Sequence, residues 1–301
     1  MTLPLASGAV TTEPTAGAEP RSIPPLFAQL VDDTSLLQPR GVAPTIEEAV
    51  ARHLAARDEP HGGVIGHLAC PASRLSALVK ELARHSLERP VELSLVVDTG
   101  LGAVPKSLST VFSRPALLVP RTVETAAPPD VDGVWLDRVA EFVPEDVIAV
   151  VEPRRPPAES PEETGAWLAA VRRVADQGCA PRLRCGGARP SDVPEVEDVE
   201  KFVRVVVETG RGFTALGVRE LVRPEGGREH GVLNLLVAVS RAIGGDDVPD
   251  ALRSTDADAL AAELRSLSPD AAGAVRALLA RCGAVTGPIP AGPLVGMGLI
   301  P

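Results

Sequence analysis

Two hydrophobic rhythms alternate along this chain, one short and unbroken, the other spaced by three and four. "GVIGHLAC", "VELSLVVDTG", "RPALLVPRT", "DVIAVVEP", "PRLRCGG" and "GFTALGV" are near-continuous apolar runs, several of them stopped by glycine or proline. Such runs read as strands buried on both faces. Between them lie segments with helical spacing. "TIEEAVARHLAARD" puts Ile46, Ala49, Val50, His53 and Leu54 on one face, with Thr45 placed to cap the first turn. "PASRLSALVKELARH" carries proline near its first turn, and "PEETGAWLAAVRRVADQG" and "VEDVEKFVRVVVETG" each end at glycine. "EHGVLNLLVAVSRAIGG" is a largely apolar helix stopped by two glycines. Two Ala/Leu-rich helices over 256–266 and 269–281 lead into a Gly/Pro-rich tail.

Apolar strands alternating with helices predict a parallel sheet covered by helices. Seven strands are counted, the weak "DTSLL" near Thr34 included, and "GVWLD" offers an eighth. In a chain of 301 residues that number favours an α/β fold of the (β/α)8, TIM-barrel-like type over an open doubly wound sheet. The stretch 121–147 fits worst, because it shows no clear helix. Residues 1–22 are rich in Thr, Ala, Gly and Pro without periodicity and read as a disordered lead. Residues 23–301 are then one barrel-like domain.

Composition narrows the partners. Aromatics make up 2% of the chain and tyrosine is absent, so the core must be built from Leu, Val and Ala. The formal net charge of −10, with no basic stripe, argues against nucleic acid. Cys70, Cys179, Cys185 and Cys282 lie far apart without a CxxC pair, which fits reduced thiols of the cytoplasm. The first ten residues show no basic region before an apolar run, and no apolar run is long enough for a bilayer. A cytoplasmic protein with no membrane partner is expected.

Several chemistries can be weighed directly. "GLGAVPKS" (100–107) nearly spells a phosphate-binding P-loop, but Pro105 stands where glycine is needed, and proline has no N–H to offer a phosphate. Lys80 and Lys201 sit within helix patterns and Lys106 in a loop or helix start, so no lysine occupies a strand end for Schiff-base chemistry. No G-x-S-x-G nucleophile turn is present. No metal-ligand spacing and no cofactor motif stands out.

The sharpest stretch is "PRLRCGGARP". Alternation in a strand puts Arg182 and Arg184 on one face and Leu183 and Cys185 on the other. Arginines facing a barrel interior must be paired or reach its mouth. They either hold a carboxylate or phosphate ligand or pair with barrel carboxylates such as Glu152 or Asp98. Gly186 and Gly187 would let a ligand approach the backbone closely. His67, Asp98, Arg121 and Glu152 end other strands and would share the mouth, where barrel chemistry collects. His230 and Asn234 share a helix face one turn apart; the pair could face the mouth, or His230 could only cap the helix start.

At "RLRCGG", "GFTALGVRELVR" and "HGVLNLL" the chain resembles an uncharacterised actinobacterial family whose members read approximately KLRTGG, FKATAGLHHP and HG-hydrophobic-LN. The opening "LVDDTSLLQPRGVAPTIEEAVARHLAAR" and "PASRL" resemble that family too, so the likeness runs from about residue 26 onward. The resemblance implies a phosphate-binding or aldolase-like barrel with Arg184, Gly186, Gly187, Arg223, His230, Gly231 and Asn234 at matching positions. The family's lysines are Arg182 and Thr214 here, and its His-His pair is Arg219-Glu220, which marks a divergent member. The expected molecule is thus a barrel binding a small anionic metabolite at its C-terminal mouth through Arg182, Arg184, Gly186, Gly187, His230 and Asn234. The alternatives are a barrel that lost its chemistry and serves as an interaction or scaffold protein, and nucleotide binding through 100–107. The sequence assigns neither a reaction nor an oligomeric state.

Overall fold

Strand and helix alternate from end to end of the chain. The computed structural model describes residues 22–39, 41–156, 160–187 and 189–301, so all but the last residue of the expected disordered lead lies outside the described residues. The elements are β1 (Val31–Asp33), α1 (Ile46–Asp58), β2 (Ile65–Pro71), α2 (Leu75–Leu82), β3 (Val91–Val96), α3 (Val104–Phe112), β4 (Leu118–Ala126), α4 (Gly133–Phe142), β5 (Ile148–Glu152) and α5 (Pro161–Asp176). They continue with β6 (Ala180–Arg184), α6 (Val196–Thr209), β7 (Phe213–Val218), α7 (Val232–Gly244), α8 (Val248–Arg253), α9 (Ala257–Ser266), α10 (Pro269–Leu278), β8 (Leu279–Ala284) and α11 (Gly292–Gly296). The eight strands pair in chain order, all parallel, and β8 closes on β1. The fold is a (β/α)8-type barrel, and closure leaves no exposed strand edge.

Local chemistry sets the boundaries. Thr45 and Glu48 form a reciprocal capping box on α1, with the Glu48 N–H donating to Thr45 Oγ1 at 3.2 Å and the Thr45 N–H to Glu48 Oε2 at 2.9 Å. Helices α6 and α7 stop at Gly210 and Gly245, whose φ values of 65° and 84° fit glycine best.

Three sequence expectations are corrected. "GVWLD" is the start of α4, because Asp132 accepts the Trp135 N–H at 2.8 Å and opens a helix that buries Leu136 and Val139. The weak first strand starts two residues before "DTSLL" and ends at its Asp33, since Asp33 accepts the Ser35 N–H at 3.0 Å and turns 35–37 into a tight helical turn. The eighth strand is Leu279–Ala284, taken from the end of the expected helix 269–281. Only glycine fits at 283, where an added Cβ would lie 2.7 Å from Thr34 Cγ2 and 3.0 Å from Leu216 Cδ1.

Outward-facing strand residues such as Leu68, Leu93, Leu95, Val123, Leu183 and Ala215 are buried against the helices. Each such leucine contributes on the order of 2 kcal/mol by leaving water. The few aromatics are concentrated, with Trp167 stacked on Phe202 at 5.8 Å and Phe202 edge-on to Phe213 at 5.2 Å. The lumen is different. Barrels are usually filled by branched apolar side chains, but Asp32, His67, Ser94, Thr122, Glu124, Arg182 and Thr214 are buried here. Among the described residues no helix is long and apolar enough to cross a membrane.

Candidate functional site

Strand alternation makes β6 the spine of the site. Arg182 and Arg184 share its inner face, one below the other, as the sequence pattern requires. Arg182 is sealed, its side chain 6% exposed, and it forms an ion pair with Glu124 of β4 while Glu152 of β5 stands 3.8 Å away. Glu124 in turn lies 3.3 Å from the Thr122 hydroxyl, which is 2.8 Å from that of Ser94. Burial and the charge of Arg184 lower the Arg182 pKa, and the charge of Asp32 opposes the shift. On the other side of the lumen Asp32 faces Arg281 at 3.3 Å and accepts the His67 N–H at 2.7 Å. Burial pushes the Asp32 carboxyl up to about 6 against the pull of Arg281. The His67 ring is neutral, because burial holds its pKa well below the usual range, and its Nδ1 has no partner among the described residues.

Arg184 reaches the rim. Its Nε and Nη2 donate to the two oxygens of Glu152 at 2.6 and 2.9 Å, a bidentate fork, and its side chain stays 40% exposed. Two hollows open here at the C-terminal end of the barrel, and both are bounded by Arg182 and Arg184. One, of about 480 Å³, is lined also by Arg154, Arg155, Arg189, Glu152, Asp192 and Trp167. The other, of about 730 Å³, runs past Gln38, Thr45, Ser73, Arg74, Asp98 and Leu216. In the first, Arg155 is anchored by Asp198 at 2.9 Å and by the Val193 carbonyl at 3.2 Å. Arg189 is 75% exposed and 3.8 Å from Asp192, and the exposed Arg154 has no carboxylate partner among the described residues.

The glycines after β6 meet the protein itself. A Cβ on Gly186 would collide with the Gly217 carbonyl, and one on Gly217, whose φ is +97°, would sit 2.6 Å from the Gly186 nitrogen. Gly187 has no room beside Asp192. The pair therefore lets β6 and β7 approach closely at the rim.

Other sequence candidates scatter. His230 is buried, and its Nε2 lies 2.9 Å from the Pro194 carbonyl; burial lowers its pKa. Asn234 accepts the Arg223 N–H at 2.8 Å and donates to the Ala251 and Ser254 carbonyls, each at 2.8 Å. Both are spent pinning the β7–α7 loop behind the rim, and neither lines either hollow. Glu152 is at the rim, where Asp98 accepts both the backbone N–H and the hydroxyl of Ser73. Arg121 is not at the mouth. Strand β4 continues to Ala126, and Arg121 is the extra residue of a bulge where Pro120 pairs Leu93 and Thr122 pairs Ser94. It grips Glu92 at 2.7 and 2.9 Å near the opposite end.

The P-loop-like stretch gives a turn over 101–103 and then α3, with the Ala103 N–H donated to Gly100 and Lys106 exposed on the helix. All four cysteines are free and buried, and burial pushes Cys70 and Cys282 to about 12. Among the described residues no group of three or more His, Cys, Asp or Glu is placed to hold a metal ion.

Glu124, Asp32 and Arg281 escaped the sequence reading, as did the rim arginines 154, 155 and 189. The signal for Glu124 was the Thr122/Glu124 alternation beyond Pro120, and that for Arg154 and Arg155 the Arg-Arg pair one residue past β5. Fold and site together define a parallel eight-stranded barrel with a charged lumen and an arginine-lined mouth. Comparison with protein-family models, with curated proteins and with solved structures finds no match.

Proposed function

We propose that the chain binds a small anionic metabolite, phosphorylated or carboxylated, in the hollow beyond β4, β5 and β6. One observation carries this reading. A chain of net charge −10 lines this hollow with five arginines against two carboxylates, Glu152 and Asp192, while Glu124 and Asp198 pair Arg182 and Arg155 from behind the lining. Such local inversion of charge concentrates anions. Arg184, held in place by Glu152, presents its free edge, and the exposed Arg154 and Arg189, the latter 3.8 Å from Asp192, add positive charge beside it. Arg182 and Glu124 form a rigid floor. Trp167 walls one side, and about 480 Å³ suits a metabolite-sized ligand. The resemblance of 182–187 to the actinobacterial KLRTGG motif points to the same strand end. Four free, buried cysteines support a place in the cytoplasm, and the net charge of −10 speaks against nucleic acid as a partner.

The second reading, a ligand-free scaffold, is favoured by the mutual pairing of Arg182, Glu124, Glu152 and Arg184. Thermal shift across phosphorylated and carboxylated metabolites separates the two. A ligand at a hundredfold excess over its Kd stabilises by about 2.7 kcal/mol, a rise of several degrees. That rise should vanish in Arg184→Ala and Arg189→Ala and be accompanied by a change in Trp167 fluorescence. A flat response across the whole set leaves the scaffold reading.

A further inference from the structure

The opposite, N-terminal end of the barrel holds a smaller cavity of about 250 Å³, lined by Arg57, Arg89, Arg121, His53, Gln29 and Glu92. Three guanidiniums thus converge on a space with one carboxylate, and that carboxylate is occupied. Glu92 takes two hydrogen bonds from Arg121, at 2.7 and 2.9 Å, and one from the Gln29 amide at 2.5 Å. Among the described residues Arg57 donates only to the Arg89 and Pro90 carbonyls, each at 3.2 Å, and its Nε makes no hydrogen bond. The nearest carboxylate to that Nε is Asp58, 3.6 Å away and 68% exposed. Arg89 gives one long bond, 3.4 Å, to the Arg57 carbonyl and is otherwise open to solvent.

A second, independent feature points the same way. His53 is 1% exposed, lines this cavity, and leaves its Nδ1 without a partner among the described residues. A buried polar nitrogen with no partner is costly in a finished fold. Burial and the neighbouring Arg57 and Arg89 hold the ring neutral, with a pKa of about 4. A neutral imidazole still has one N–H to give.

We infer that this cavity is a second anion site, sized for a single phosphate-like oxyanion held by Arg57, Arg89 and Arg121 with His53 beneath it. It is separate from the mouth, since its lining residues come from the segments that enter β1 to β4 rather than those that leave β4 to β6.

The test is an imidazole NMR titration of the full-length chain with inorganic phosphate at constant ionic strength, chloride serving as control. It is run in the Arg184→Ala background, so that failure of the mouth reading leaves it intact. Saturable movement of the His53 ring signals with phosphate and none with chloride is expected. Arg89→Ala should weaken phosphate at least tenfold, and Arg89→Lys should recover part of the loss. Arg121→Gln serves as a second variant should Arg89→Ala disturb the fold. Repeating the titration with glycerol phosphate distinguishes a free oxyanion, which alone would move His53, from the phosphoryl end of a larger ligand, which would move it too. His53 signals that stay still, or that saturate at the same phosphate concentration in Arg89→Ala and Arg121→Gln, overturn the inference.

Discussion

Arg182 and Arg184 stand two residues apart on one face of one strand, yet the lumen and the rim make them different groups. The first is enclosed, 6% exposed, and tied to Glu124; the second is 40% exposed and forked onto Glu152. Distance from water decides the difference. In the lumen a charge without its partner is a large destabilisation, whereas at the rim the half-exposed Arg184 is partly screened, and its free edge remains open to a ligand.

The largest expected effect breaks the lumen pair. Glu124→Gln takes away the closest carboxylate of Arg182, leaving Glu152 at 3.8 Å, and should cost about 3 kcal/mol, lowering Tm by roughly 10 °C. Urea denaturation with an unchanged m value measures it. Replacing both partners, Glu124→Leu with Arg182→Met, should recover most of that loss. A double variant as unstable as the single one would mean that the lumen charges do more than compensate each other.

A pH profile sharpens the lumen side. Asp32 has a folded pKa of about 6, above its ordinary 3.8. Between those values the folded state keeps a proton that the unfolded chain has released. Stability contributed by this group therefore falls as pH rises from about 4 to 6 and is level above, a change of roughly 3 kcal/mol. Asp32→Asn should remove that slope, whatever its effect on the absolute stability. Denaturation midpoints of both proteins across pH 4 to 7 check it; parallel curves would place the titration elsewhere.

Behind the rim lies a third environment, illustrated by Asn234, whose amide meets three backbone groups. Asn234→Ala should cost about 2 kcal/mol by leaving an N–H and two carbonyls unpaired. Ligand affinity should be unchanged if the loop keeps its position, which thermal shift reads in the same experiment.

These contrasts explain what was legible in the sequence. Barrel and polarity followed from unbroken apolar runs alternating with capped helices, because period and capping are local properties. The Arg182/Arg184 face and the Glu152 partner were readable for the same reason, strand alternation. Glu124 was hidden because Pro120 and the bulged Arg121 interrupt β4 and made the strand look finished four residues early. The eighth strand was hidden in an Ala/Leu-rich helix pattern, since its residues become a strand only by pairing with β1 and β7. His230 and Asn234 do stand beyond the C-terminal end of a strand, but whether a side chain faces a cavity or a carbonyl depends on neighbours distant in sequence, here Pro194, Ala251 and Ser254.

The smallest stability effect is also the one that best separates rim from lumen. Arg184→Ala removes a fork from Glu152, but the guanidinium is 40% exposed, and Glu152 retains Arg182 at 3.8 Å as a neighbouring positive charge. With Glu152 only 13% exposed the pair is half-buried, and its loss should cost on the order of 1 kcal/mol, so the melting temperature without ligand should drop by a few degrees. Binding should respond out of proportion, because the lost fork is the one whose open edge faces the hollow. A variant that melts almost like the wild type yet no longer gains stability from the metabolite would assign the rim to recognition and the lumen to support. A variant as unstable as Glu124→Gln would erase the distinction, making both arginines parts of one buried network.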